Sequence, residues 1–98
     1  MKLYGSRRLG LDELKDVAAA ALDLDFESRH SYYLCGDYWR ARVQPSGKVI
    51  VLANCLEDDG EHLESRFPEH SALLRVEADL DETPLQGIEG LELLETHD

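Results

Sequence analysis

An α+β fold is what the sequence predicts: one main helix and a second short helical piece, packed on one face of a mostly antiparallel sheet of about four to six strands. Three observations carry that prediction. Apolar residues from Leu11 to Leu22 fall at helical spacing, residues from Tyr38 to Gln44 alternate between apolar and polar, and Val49 to Ala53 run apolar without a break. With 98 residues the chain is long enough for one core and too short for two, so residues 1–98 are expected to form a single domain.

Taken in order, Lys2 to Ser6 is a short mixed stretch suited to a sheet edge. Leu11, Leu14, Val17, Ala18, Ala21 and Leu22 then gather into one helical stripe. The alanine run adds helix propensity, and Asp12, Glu13 and Asp16 lie in the first turns, where the helix dipole favours negative charge. Phe26 to Cys35 has strand composition and ends at Gly36-Asp37, a pair suited to a tight hairpin turn. In the next strand Trp39, Ala41 and Val43 share one face, with Trp39 expected beneath the helix, and Tyr38, Arg40 and Arg42 share the other. Pro45-Ser46-Gly47 predicts a second reversal, and Lys48 to Cys55 a central strand covered on both faces. Leu56 to Ser71 lacks sustained periodicity and reads as a long excursion, of a length that in small domains is often functional. Ala72 to Ala78 is a further strand, Asp81 to Leu85 a helical turn limited by Pro84 and Gly87, and Leu91 to Leu94 a short closing element.

The net charge is −11, which disfavours direct contact with phosphate backbones and points to basic partners. Up to Ala53 there are eight Lys or Arg against seven Asp or Glu; from Asn54 onward there are two against fourteen. This asymmetry predicts a directed negative face. No apolar run is long enough to span a membrane, and MKLYGSRRLG has no apolar segment behind its arginines, so a cytoplasmic protein is expected. On the same reasoning Cys35 and Cys55 are expected to be free, packed thiols.

The stretch LEDDGEHLE, Leu56 to Glu64, holds five acids and no cation. As a calcium loop with Gly60 at its sixth position it would start with a thiol, Cys55, and end with Arg66 where a bidentate glutamate belongs. As a transition-metal site, Cys35, Cys55 and the histidines His30, His62, His70 and His97 lack the paired spacing of structural zinc. As catalytic carboxylates, the five acids have nothing local to dehydrate them and raise a pKa. Neither cysteine carries a nucleophile signature, and no phosphate-binding glycine loop is present. No metal, cofactor or enzymatic activity is therefore expected. Arg40, Arg42 and Tyr38 form a face that can stack a base or hold an anion, though pairing with neighbouring carboxylates is the simpler expectation.

What remains is an acidic binding surface, since a positive partner turns the mutual repulsion of clustered carboxylates into faster and more selective association. SYYLCGDYWRA (Ser31 to Ala41), Asn54 closing the central strand, the acidic loop leading to FPEH (Phe67 to His70), LLRVE (Leu73 to Glu77) and GLELLE (Gly90 to Glu95) together resemble the immunity proteins of bacterial polymorphic and contact-dependent toxin systems. That resemblance implies a cytoplasmic protein that binds one cognate toxin domain, often a basic nuclease, and covers its active site or an essential surface. Glu57, Asp58, Asp59, Glu61 and Glu64, with Asp37 at the neighbouring hairpin, would then meet toxin cations, and Tyr38 would supply an anchor. The alternative readings are an acidic regulator or nucleic-acid mimic that inhibits a DNA-binding enzyme and, third, a small enzyme.

Overall fold

The computed structural model describes residues 1–56 and 60–96. Within them one antiparallel sheet of six strands carries a single α-helix on one face, in agreement with the α+β prediction. The strands are β1 (Lys2–Ser6), β2 (Glu27–Ser31), β3 (Gly36–Arg42), β4 (Gly47–Ala53), β5 (Ala72–Ala78) and β6 (Leu91–Thr96), in the order β2-β3-β4-β5-β1-β6. Helix α1 (Leu11–Leu22) follows β1, and 3-10 turns occupy Tyr32–Leu34 and Thr83–Gly87.

The helix forms where the apolar stripe required it. Leu14 and Ala18 are fully buried against Val49, Val51, Leu74 and Val76 of the sheet, with Tyr4 and Leu85 completing that core. Trp39 lies under the helix as expected: its indole donates a hydrogen bond to the Asp12 carboxylate (3.1 Å), and the Lys15 ammonium sits 4.4 Å from its ring centre. The alternation of β4 sends Ile50 and Leu52 to the opposite face, where Leu3 and Leu73 join them. The excursion between β4 and β5 folds over this second face and covers it with Leu63 and Phe67. An unbroken apolar strand is thus the signature of a sheet covered on both sides.

Asn54 holds that cover in place. Its side-chain amide donates to the carbonyls of Phe67 (2.9 Å) and Glu64 (3.4 Å), and its carbonyl oxygen accepts from the Glu64 amide (2.7 Å). The residue is 5% exposed, so water cannot replace these bonds. Asn54→Ala is expected to cost about 2 kcal/mol by stranding buried backbone groups, read as a lowered midpoint in urea denaturation.

Three expectations are corrected. First, β1 is internal, paired to β5 on one side and β6 on the other. Leu3 and Tyr4 point into the two cores, and Gly5 lets the excursion and β6 close in, since a Cβ there would stand 2.6 Å from Leu94 and 3.1 Å from His70. Second, the chain reverses at Tyr32–Leu34 and not at Gly36-Asp37. Cys35 and Gly36, at φ 62° and 86°, end the 3-10 turn, and Asp37 already lies in β3. The glycine therefore serves the exit from the turn, the left-handed conformation for which it is suited. Third, Cys35 and Cys55 are not free thiols but a disulfide. The β3–β4 register runs from Arg42↔Lys48 to Trp39↔Val51, and continued four residues further it sets Cys35 opposite Cys55. Their Cα atoms are 5.9 Å apart, a normal bonding separation.

Candidate functional site: a disulfide-linked tip

The disulfide joins the turn between β2 and β3 to the point where β4 passes into the acidic loop. On one side of the bond, Ser31 Oγ accepts the Tyr33 amide (3.3 Å) and starts the 3-10 turn. The turn is too short to bury both faces, and it holds Tyr32 and Tyr33 80% and 82% exposed, their rings edge to face at 5.8 Å between centroids. On the other side Leu56 is 63% exposed. A bridge from Leu56 to His62 and a hydrogen bond from the Leu63 amide to the Cys55 carbonyl (2.9 Å) fix both described ends of the loop. Two aromatic rings and a leucine thus stand in water at one end of a small sheet. Exposed apolar side chains grouped in this way, and tyrosines above all, are typical of surfaces that another macromolecule covers.

The residues singled out in the sequence distribute unevenly around this tip. Asp37 is exposed at the start of β3 with Oδ1 3.0 Å from Nδ1 of His30, its cross-strand neighbour. Glu61 is exposed on the returning arm of the loop. Glu64 is turned inward, its carboxylate bonded to Arg66 (2.8 Å) and its amide to Asn54, so it is a structural anchor of the excursion. Tyr38 is half-buried and packs against Ile50 and Leu52 in the second core. Glu57, Asp58 and Asp59 lie outside the described residues. Tyr32 and Tyr33, the most exposed aromatics among the described residues, fall within Phe26 to Cys35, a run of strand composition that carries no mark of where the strand stops.

The negative face expected of the later half is reduced by long-range pairing. Because β1 lies beside β6, N-terminal cations reach C-terminal acids: Lys2 is 3.4 Å from Glu82, Arg7 is 3.2 Å from Glu92 and Arg8 is 3.3 Å from Glu89. Arg66 bridges Glu64 and Glu95. The hydrogen bonds from Arg7 hold the Glu92 carboxyl below the usual range, and burial together with Glu82 raises the Tyr4 phenol. These carboxylates are committed within the fold, and among the described residues Asp37 is the acid that adjoins the turn carrying Tyr32 and Tyr33.

With their sulfurs bonded to each other, neither cysteine is available as a thiolate ligand or nucleophile. Among the described residues no group of three or more His, Cys, Asp or Glu is arranged to hold a metal ion, and no helix is long and apolar enough to cross a membrane. Comparison of the chain with protein-family models, with curated protein sequences and with solved structures finds no match.

Proposed function

We propose that this chain is a binding protein whose disulfide-linked tip engages a basic protein domain, and that it acts as an immunity protein neutralising a cognate toxin. The observation that carries the reading is the exposed group Tyr32, Tyr33 and Leu56, tied by the Cys35–Cys55 bond to the segment that supplies Glu57, Asp58, Asp59 and Glu61. Aromatic anchors linked to an acidic segment match the composition of tight interfaces, in which buried rings supply affinity and surrounding charge supplies rate and selectivity. A basic toxin domain offers the complementary surface.

The experiment is capture of a basic partner from the native host, followed by affinity measurement at low and high salt. Asp58→Lys combined with Asp59→Lys is expected to weaken binding and flatten its salt dependence. Unchanged affinity and salt slope in that variant would remove the acidic loop from the contact. Cytoplasmic placement belongs to the same reading, and the disulfide gives it a test. Cytosolic thiol pools reduce such bonds, so the oxidation state of Cys35 and Cys55 in protein taken from its host reports the compartment.

A further inference from the structure

Ten Lys and Arg side chains meet 21 acids in this chain, and six of the ten stand within ion-pair distance of a carboxylate. The other four, Arg40, Arg42, Lys48 and Arg75, have no such partner among the described residues. They are not scattered. Strand alternation puts all four on the sheet face opposite α1, on the adjacent strands β3, β4 and β5: Arg40 and Arg75 flank Ile50 in register, and Arg42 pairs with Lys48 two positions along the ladder. Glu27 and Glu77 are the nearest carboxylates by register, opposite Arg40 and Lys48, and neither comes within 4.0 Å of those cations. The neighbouring acids expected to neutralise this face therefore do not.

Two further features separate this patch from ordinary surface charge. Arg42 and Lys48 are directly opposed across the β3–β4 ladder, an arrangement in which like charges repel, in a protein with ample acids to relieve it. Arg40, Arg42 and Lys48 also line one groove of about 420 Å³, walled by the Val43–Gly47 hairpin, a size within that of small-molecule sites. Three cations without a carboxylate partner around one groove fit an oxyanion with several acceptor oxygens.

We propose that this groove binds a small phosphate-bearing molecule, its phosphoryl oxygens held by Arg40, Arg42 and Lys48. Such an anion would remove the repulsion between Arg42 and Lys48. The site lies on the open part of the sheet face and is independent of the partner proposed for the tip.

Calorimetric titration of the full chain, disulfide intact, with inorganic pyrophosphate tests it. Expected is saturable one-to-one binding at physiological ionic strength, weakened about tenfold or more in Arg42→Gln and in Lys48→Gln. Both variants should melt at or above the wild-type temperature, because each removes one of two opposed charges; a loss of binding then cannot be read as a loss of fold. Absence of saturable pyrophosphate binding in the wild type would overturn the proposal, as would binding kept at full strength in both variants. Tight binding of single-stranded DNA without binding of pyrophosphate would also overturn it, by making the face a polyanion track.

Discussion

Replacing both Cys35 and Cys55 by alanine is expected to lower the free energy of unfolding by about 3 kcal/mol, the loop-entropy value for a bond closing a segment of this length. The two residues are 20 apart in sequence, and the bond forbids the unfolded chain from separating the ends of the β3–β4 hairpin. For a domain of this size, where total stability is on the order of 5–15 kcal/mol, that is a large fraction. The melting temperature should fall by about 12 °C or more. The same loss should appear when the wild type is treated with reductant, while the double-alanine variant should ignore reductant altogether. A wild-type denaturation midpoint unmoved by reductant would mean that the bond does not form in solution or that it spans positions the unfolded chain already keeps together. The sheet is expected to persist in the variant, because β4 is held by β3 and β5 over seven-residue strands whose side chains fill both cores.

What could be read from the sequence was whatever repeats locally. The stripe from Leu11 to Leu22, the alternation from Trp39 to Val43 and the apolar run of β4 each carry their period within a single element, and the structure places all three as those periods require. The disulfide was not legible in this way. A reversal over Pro45-Ser46-Gly47 counted outward pairs Gln44 with Lys48 and sets Cys35 opposite position 57, whereas the hairpin closes with Val43 bonded to Gly47, and that two-residue change of register brings Cys35 opposite Cys55. Other features had no local signal. Nothing near Lys2, Arg7 or Arg8 announces that β1 will lie beside β6, so the neutralisation of Glu82, Glu89 and Glu92 depends on a pairing across nearly the whole chain. Likewise Tyr32 and Tyr33 have strand-forming character, and the 3-10 turn that Ser31 starts and the positive φ of Cys35 and Gly36 ends takes them out of the ladder and into water. The acidic half was visible in composition; which of its carboxylates are committed within the fold was not.

The exposed tyrosines yield the sharper prediction for binding. Truncating Tyr32 and Tyr33 together to alanine is expected to weaken the captured partner's affinity by about 100-fold or more, the scale of two aromatic anchors lost from the centre of an interface. Stability should be unchanged, because side chains 80% and 82% exposed contribute little to the core. Tyr38→Ala provides the opposite pattern. Tyr38 packs on Ile50 and Leu52, so its removal should lower the denaturation midpoint while leaving the tip's rings in place. Measured side by side, affinity by titration and stability by urea unfolding, the two variants separate a tyrosine that recognises from a tyrosine that packs. If the Tyr32 and Tyr33 variant binds as tightly as the wild type, the tip is not the docking surface, whatever the partner. If only Tyr38→Ala loses affinity, recognition lies on the sheet face that β3 shares with Arg40 and Arg42, and the negative loop has been given a role that belongs to the cations.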